Sequence, residues 1–267
     1  MATKEYNKFS LNEIKKHLVS TSLGEDIHIF DTIDSTNKYA KTIAESGAKH
    51  GSVIISDMQT AGRGRLGREF FSPKGAGVYI SVILRPKFDM DKILLFTSAS
   101  AVAVCRALDK IVSIKSKIKW VNDIYLNNKK LCGILAESVC NTHNGGAEFI
   151  VIGVGINVAN SAFPSAIQNI ATSIEGETGK IIDRNLLVAN IINEFEKIYL
   201  NIEHNNYDFM KEYRQRSCII GKKVNALCGS TSREVFVEDI DDNGALIVKN
   251  ENDSIERIAS GEISIRF

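Results

Sequence analysis

The stretch that decides the interpretation of this sequence is a loop in which arginines alternate with glycines. It reads Thr60-Ala61-Gly62-Arg63-Gly64-Arg65-Leu66-Gly67-Arg68. The apolar segments Ser52–Ser56 and Val78–Leu84 flank it, and their valines and isoleucines predict buried strands. Glycine lets the backbone approach a ligand closely, and the arginine guanidinium matches phosphate and carboxylate oxygens. The composition therefore predicts an anion-binding loop that is mobile when empty and becomes ordered on its ligand.

Two simpler interpretations of the loop are a solvated linker and a nucleic-acid-binding segment of the Arg-Gly-Gly kind. The loop is short, internal and bracketed by strands, which argues against both. The 33 lysines and arginines face 32 acidic residues, so the formal net charge is +1. A dedicated nucleic-acid binder usually carries a basic excess. The sequence also lacks a Walker A motif. We interpret the loop as a local anion site on a nearly neutral protein.

The overall composition predicts a globular protein of the cytoplasm. With 267 residues and 44% hydrophobic content, the chain can bury a substantial core and form two domains. Its five cysteines include no Cys-x-x-Cys pair, which indicates reduced thiols rather than a disulfide framework or a zinc site. No apolar stretch is long enough to span a membrane, and Met1–Glu5 lacks the apolar core of a signal peptide. We therefore expect no membrane partner.

The hydrophobic periodicity divides the chain into a larger part over residues 1–216 and a smaller part over 217–267. In the larger part the pattern predicts helices at 10–20, 91–111, 184–203 and 207–216, and a further helix that follows the capping residues 34–37 and runs to about 45. It predicts strands at 27–33, 52–56, 78–84, 118–120, 124–126, 131–139 and 149–158. The smaller part predicts short strands at 224–227, 234–239, 245–249 and 255–258, typical of a small β-barrel. Residues 141–147 and the polar, irregular residues 159–179 are predicted as loops.

Three polar clusters accompany the predicted strands, and each has a simple structural explanation when taken alone. The clusters are Ser35-Thr36-Asn37, Lys119-Trp120-Val121-Asn122-Asp123 with Lys129-Lys130, and Gly153-Val154-Gly155-Ile156-Asn157. The first is a helix N-cap by its residue types. Lysines in a hairpin are usually solvated, a lone tryptophan is often a core residue, and glycines in a strand often only relieve packing.

The order and combination of these motifs is far more specific than any one of them. Ser-Thr-Asn, then Gln59 with Gly-Arg-Gly-Arg-x-Gly-Arg, then Lys-Trp-x-Asn-Asp with a lysine seven residues after the Asp, then Gly-x-Gly-Ile-Asn, resembles the biotin protein ligases. The resemblance runs from about Ile27 to the end of the chain. The ending Ser260-Gly261-Glu262-Ile263-Ser264 also resembles the C-terminal module of that family.

The resemblance implies a fold, a reaction and a partner. The fold is an α/β (α+β) catalytic domain with a mixed β-sheet flanked by helices, followed by a small SH3-like β-barrel. The substrates are biotin and ATP, with Mg²⁺. Biotin's carboxylate attacks the α-phosphate of ATP, giving biotinoyl-5′-AMP and pyrophosphate. A lysine of the biotin carboxyl carrier domain of a biotin-dependent carboxylase, of the acetyl-CoA carboxylase type, then attacks this anhydride.

The resemblance also implies which residues form the site. Biotin is expected to contact Ser35, Thr36, Gln59, Gly62, Arg63, Arg65, Lys130, Gly133 and Gly155. The nucleotide is expected to contact Arg63, Arg65, Arg68, Phe70, Lys119, Asn122 and Asn157. Lys130 and Arg65 are expected to act at the reacting centre, and Asp123 to bind Mg²⁺, which prefers a carboxylate plus substrate oxygens. Strand alternation turns Lys129 and Lys130 to opposite faces, so only one of them can point into the site. Lys130 is assigned that role because of its spacing from Asp123.

Some features depart from the family pattern or leave alternatives open. Val121 stands where many relatives carry proline. Only 34 residues precede Ser35, with one convincing helix, so we expect a short form without the family's N-terminal DNA-binding domain and without DNA as a partner. A lipoate or octanoate ligase of the same fold is the nearest alternative, and a nucleic-acid-binding protein is a more distant one. Exposed sheet edges are compatible with a homodimer.

Overall fold

The larger part of the molecule is built on a seven-stranded sheet. The computed structural model describes residues 6–86, 93–140, 147–160, 163–228, 231–259 and 261–264. The strands are β1 (Ile27–Phe30), β2 (Val53–Ser56), β3 (Gly77–Leu84), β4 (Lys117–Lys119), β5 (Asp123–Leu126), β6 (Lys129–Cys140) and β7 (Ala147–Asn157). Their order is β1-β2-β3-β7-β6-β5-β4. Only the β1–β2 pair among them is parallel, so the expected mixed sheet is confirmed.

Helices cover both faces of this sheet. They are α1 (Leu11–His17), α2 (Thr36–Glu45), α3 (Ile93–Val112), α4 (Ile174–Thr178), α5 (Arg184–Glu203) and α6 (Phe209–Arg216). Val53 and Ile55 of β2 belong to the main core, which includes the apolar residues of α3 and α5. Ile54 between them packs instead in a smaller cluster with Ala40 and Ala44 of α2. Successive side chains of β2 therefore pack against helices on opposite faces of the sheet.

The C-terminal part forms a separate antiparallel sheet of five strands. They are β8 (Lys223–Cys228), β9 (Thr231–Ile240), β10 (Leu246–Lys249), β11 (Ile255–Ile258) and β12 (Glu262–Ser264), in the order β11-β10-β9-β8-β12. This sheet matches the expected small β-unit, and β12 was not predicted from the sequence. Arg214 at the end of α6 donates from Nη1 to Ile240 O at 2.9 Å, which ties the unit to the main sheet's helices. The boundary at 216/217 stays a prediction, consistent with α6 ending at Arg216.

A few sequence predictions differ from the structure or fall outside the described residues. The polar stretch 159–179 contains the short helix α4, which Ser173 caps by accepting from Gly176 N at 3.1 Å. The predicted start of the long helix at 91–92, most of the 141–147 loop and Ser260 lie outside the described residues. None of the described helices combines the length and apolar character that crossing a membrane requires.

Candidate active site

A cleft lies between the main sheet, the arginine–glycine loop and strand β12. Its volume is about 900 Å³, including the open space at its mouth. The structure brings together on its walls most of the residues that the sequence singled out: Ser35, Thr36, Gln59, Arg63, Arg65, Arg68, Phe70, Lys119, Asn122, Asp123, Lys130, Gly133 and Gly155. Residues that are far apart in the chain therefore share one site.

Two predicted residues do not line this cleft. Asn157, at the end of β7, donates from Nδ2 to Thr172 O at 3.0 Å and so holds the following loop. A side chain at Gly62 would meet the backbone oxygen of Phe70 at 2.4 Å and Ser72 Oγ at 2.6 Å. Gly62 therefore allows the close packing of the loop beside Gln59. A direct contact of Gly62 or Asn157 with a ligand stays a prediction.

One end of the cleft is a network of neutral hydrogen-bonding groups at the start of α2. Ser35 is the N-cap of that helix, as its simpler interpretation requires, and it also lines the cleft. Thr36 donates to Gln59 Oε1 from its backbone nitrogen at 2.8 Å and from Oγ1 at 3.1 Å. Gln59 in turn donates from Nε2 to Ser72 Oγ at 2.9 Å. The amide of Gln59 is thus fixed from both sides.

The motif Ser35-Thr36-Asn37 contains the asparagine that completes this network, but Asn37 was not among the predicted site residues. Asn37 accepts at Oδ1 from Ser81 Oγ at 2.7 Å and donates from Nδ2 to Glu137 Oε2 at 2.8 Å. Ser81 is fully buried in β3, and a serine inside an otherwise apolar strand was the available signal. A Cβ at Gly153 would lie 2.0 Å from Asn37 Oδ1. Gly153 is therefore needed so that Asn37 can approach the sheet.

The floor of the cleft is a pair of glycines on neighbouring strands. Gly133 of β6 faces Gly155 of β7 in the sheet register. The ring of Phe70 lies over both, because a Cβ at Gly155 would come within 2.5 Å of Phe70 Cε1 and one at Gly133 within 3.2 Å of Phe70 Cε2. The absence of side chains opens a groove in the sheet. The predicted contact of Phe70 with the nucleotide stays a prediction.

The arginine–glycine loop folds into a compact turn at the mouth of the cleft. Arg65–Gly67 form a single 3-10 turn, in which Leu66 adopts φ +56°. Gly64 N donates to Arg68 O at 2.7 Å, and Phe70 N donates to Gly62 O at 2.9 Å. These hydrogen bonds close the loop on itself and present its three arginines toward the cleft.

Each of these arginines contacts a group of the protein itself. Arg63 Nη1 lies 3.2 Å from Glu137 Oε1. Arg65 donates to Asn122 Oδ1 at 3.3 Å and to Gly261 O at 2.7 Å.

Arg68 makes a two-pronged ion pair with Glu262 of β12, at 2.5 and 2.8 Å. Hydrogen bonding to Glu262 raises the pKa of the Arg68 guanidinium, which stays charged. Glu262 and Ile263, which line the cleft from the C-terminal unit, were not among the predicted site residues.

The lysine of the hairpin points into the cleft and pairs with a carboxylate. A bulge at the β5–β6 pairing sets Lys130 opposite Tyr125. Lys130 Nζ lies 2.7 Å from Asp123 Oδ1, and both side chains line the cleft, whereas Lys129 does not. The backbone of Lys130 is also held by Ile170 O and Thr172 N at 2.8 and 2.9 Å.

Within the described part of the chain, no group of three or more His, Cys, Asp or Glu residues is placed to hold a metal ion. Asp123 pairs with Lys130 at 2.7 Å, and that lysine already neutralises it. Mg²⁺ is usually bound in proteins by one or two carboxylates together with substrate phosphates. Binding of Mg²⁺ by Asp123 together with substrate phosphates stays a prediction.

Comparisons with known proteins agree with this geometry. The model of the biotin/lipoate A/B protein ligase family matches residues 29–157, and that of the biotin protein ligase C-terminal domain matches 219–266. The bifunctional ligase/repressor BirA of Bacillus subtilis (strain 168) is 33% identical over 263 residues, covering 98% of this chain and 81% of the relative. The chain belongs to the biotin protein ligase family. It is therefore a ligase, as expected from the sequence (EC 6.3.4.15).

Further members of the biotin protein ligase family extend the comparison. The biotin–[acetyl-CoA-carboxylase] ligase of Paracoccus denitrificans is 30% identical and covers 81% of this chain and 91% of its own length. The solved structure of the Aquifex aeolicus biotin protein ligase in complex with biotin and ATP superposes with a TM-score of 0.78 at 27% identity. That superposition covers 91% of this chain and 99% of the other. The expected fold, including the separate C-terminal sheet, is thus confirmed.

Proposed function

We propose that this ligase activates biotin with ATP as biotinoyl-5′-AMP and transfers the biotinoyl group to a lysine of a biotin carboxyl carrier domain. The observation that carries the proposal is the division of the cleft. Fixed neutral donors and acceptors occupy one end, and Lys130 with the loop arginines occupies the other. A solved relative is named as a complex with biotin and ATP, and another relative is named an acetyl-CoA-carboxylase ligase.

The neutral end suits the ureido ring of biotin. A urea offers two N–H donors and one carbonyl acceptor, and each must find a partner when buried. Ser35, Thr36 and Gln59 offer short polar groups there. Thr36 and Gln59 already hold each other, so they meet the ring without first becoming ordered. The Phe70 ring covers the glycine groove of Gly133 and Gly155, so an apolar tail enters the groove when that ring moves aside.

The cationic end suits the reacting carboxylate and phosphates. Two anions must approach one another, and fixed positive charge offsets their repulsion in a site screened from water. In the proposed reaction the Lys130 ammonium lies between the biotin carboxylate and the α-phosphate, and Arg65 stabilises charge on the phosphate oxygens. Asp123 and Asn122 position these two cations. The attacking oxygen forms the new P–O bond, and pyrophosphate leaves.

The loop arginines also retain the adenylate in the proposed reaction, by pairing with its anionic groups. Arg63 and Arg68 exchange Glu137 and Glu262 for the substrate's anions, since those pairs are half exposed and individually weak. Mg²⁺ enters as part of the Mg–ATP substrate, and no step in the proposal depends on a resident ion. The carrier lysine then attacks the anhydride carbonyl, and AMP leaves.

The decisive test is biotin-dependent exchange of labelled pyrophosphate into ATP, with lipoate as the parallel acid. Exchange with biotin alone establishes the adenylation half-reaction. Exchange with lipoate alone moves the chain to the lipoate or octanoate ligases. Exchange with neither acid contradicts the proposal and returns attention to nucleic acid, whose binding would weaken steeply with salt. Transfer is measured by mass spectrometry of a biotin carboxyl carrier domain after incubation with biotin and ATP.

A further inference from the structure

A buried arginine joins the two ends of the arginine–glycine loop. Arg184, the first residue of α5, is 1% exposed. Its Nη1 donates to Asp57 Oδ1 at 2.6 Å and to Gly77 O at 3.0 Å. Asp57 follows directly on β2, and Gly77 begins β3. One guanidinium group therefore holds the points where the chain leaves the sheet and where it returns.

Every residue that the cleft takes from the loop lies between those two points. Residues 58–76 carry Gln59, Phe70 and the arginines Arg63, Arg65 and Arg68. The loop's own hydrogen bonds join Gly64 to Arg68 and Gly62 to Phe70 at its tip, and Gln59 N donates to Ser72 O at 3.1 Å nearer its base. At its base the loop is closed by Gly75 N, which donates to Asp57 O at a longer 3.3 Å, and by Arg184. Arg184 thus adds a charged link across the base.

The segment ahead of β1 completes the surroundings of this arginine. Asn7 O accepts from Arg184 Nη2 at 2.7 Å, and the Phe9 ring lies 4.5 Å from the guanidinium carbon. The same segment is docked on α5 at a second place. There Glu196 accepts from the backbone of Thr21, Ser22 and Leu23. Only the first of these two docking points reaches the loop.

Stability alone does not account for an ion pair buried this deeply. Replacing a buried ion pair with well-packed apolar residues is often neutral or stabilising. A pair with fixed geometry, in contrast, defines the position of the elements that it joins. The Arg184–Asp57 pair has that geometry, with the Asp57 carboxylate and the backbone carbonyls of Gly77 and Asn7 converging on one guanidinium.

We propose that Arg184 is a positioning residue for the ligation reaction, which holds the base of the arginine–glycine loop and thereby the loop's substrate-binding groups. This inference rests on the proposed function. Arg184 does not line the cleft, so it acts through the loop and not on the substrate. The segment containing Asn7 and Phe9 is part of the same device, because it fixes the far side of the guanidinium.

The test uses Arg184→Lys and Asp57→Asn, with Glu196→Gln as the matched control on the same helix. Lysine cannot reach Asp57, Gly77 and Asn7 at once, and Asp57→Asn keeps the shape while removing the charge. Hydrogen exchange of the free proteins reports on peptides within 58–76. We expect faster exchange there in both variants, a kcat/KM for biotin in pyrophosphate exchange lowered by roughly 10- to 100-fold, and more free biotinoyl-AMP released.

Glu196→Gln is expected to lower the melting temperature while leaving loop exchange and kcat/KM at the wild-type level. Unchanged loop exchange in both Arg184→Lys and Asp57→Asn would overturn the proposal. So would an equal kinetic loss in Glu196→Gln, measured at temperatures where all the proteins are folded. If Arg184→Lys does not fold, Asp57→Asn decides alone. A wild-type protein without biotin-dependent exchange contradicts the proposed function, whereas the hydrogen exchange still decides whether Arg184 holds the loop.

Discussion

The hydrogen-bonding end of the cleft stands on a helix and a strand, whereas the cationic end stands largely on a loop and a hairpin. Thr36 and Asn37 are each 4% exposed and Ser81 is fully buried. Their hydrogen-bond partners are neutral groups, apart from the Glu137 carboxylate that accepts from Asn37. The side chains of Arg63 and Arg68 are 51% and 66% exposed, and each is paired with an acidic residue of the protein.

This difference separates the groups proposed to recognise biotin from the groups proposed to act in the reaction. Groups that distinguish one neutral ring from another bind more tightly when their positions are fixed beforehand, since no side chain then has to become ordered on binding. Groups that must receive several phosphates gain from having weakly held partners that can be exchanged. The protein's own carboxylates keep the arginines and Lys130 from repelling one another before substrate arrives. The following experiments test this division, from the largest expected effect to the smallest.

Lys130→Ala should have the largest effect. Removing one fixed cation from a reacting centre lowers turnover by roughly 10²- to 10³-fold, and here it also leaves Asp123 unpaired in the cleft. Lys129→Ala is the control, because Lys129 is adjacent but does not line the cleft. Pyrophosphate exchange measures both. If Lys129→Ala is the damaging change, the assignment of the two lysines to the faces of β6 is wrong.

Arg65→Gly should loosen the hold on the intermediate. Arg65 joins Asn122 to Gly261 across the mouth of the cleft. Losing a charged hydrogen-bonding group raises release of biotinoyl-AMP by roughly 10- to 100-fold. The measurement is biotinylation of an unrelated protein added as a bystander, with Arg85→Lys, which lies outside the cleft, as the control. A variant that labels only the carrier would remove the loop from this role.

Gly153→Ala should destabilise the protein, because the neutral end of the cleft is rigid. The new methyl group would lie 2.0 Å from Asn37 Oδ1, whose hydrogen bonds leave it little freedom. Overpacking of this kind costs about 1–3 kcal/mol in the free energy of unfolding. Gly133→Ala is the comparison, because its nearest neighbours, at 3.1–3.2 Å, include the flexible end of Lys130. Equal losses of unfolding free energy in urea denaturation would show that the surroundings of Gly153 and Gly133 accommodate a methyl group equally well.

Glu262→Gln should have the smallest effect. If Arg68 leaves Glu262 for the phosphates, the ion pair must first be broken, and an exposed pair contributes about 0.2–1 kcal/mol. The KM for ATP should therefore fall by no more than about 5-fold, while the KM for biotin stays unchanged. Glu234→Gln, which breaks the exposed Lys223–Glu234 pair on β8 and β9, controls for the same general change of charge. A raised KM for ATP would mean that Glu262 holds the loop in its working position.

Most of the elements could be predicted from the sequence, because their periodicity is local. The strand Ile255–Ile258 has the predicted bounds, and the hairpin β5–β6 and helix α5 agree closely. The short strand β12 was missed because three residues carry too little pattern. The helix α4 was missed because polar residues surround its single buried isoleucine, Ile174.

The site could be predicted only as far as its motifs extend. Asn37 pairs with Ser81 and Glu137, and Arg68 with Glu262, across 44, 100 and 194 residues. No local pattern specifies such contacts, since they follow from the order of strands in the sheet and from the docking of the C-terminal unit. The N-cap at Ser35 shows the opposite case, where the structural and the functional interpretation are both correct.

The chain's single tryptophan gives the molecule a built-in optical reporter. Trp120 is buried beside the cleft, and its indole nitrogen donates to Gly244 O of the C-terminal unit at 2.8 Å. Its fluorescence therefore comes from one known place, where the two sheets meet the substrate site. Emission that shifts to longer wavelength would signal separation of the two units, and quenching on addition of biotin or ATP would follow binding in real time without any attached dye.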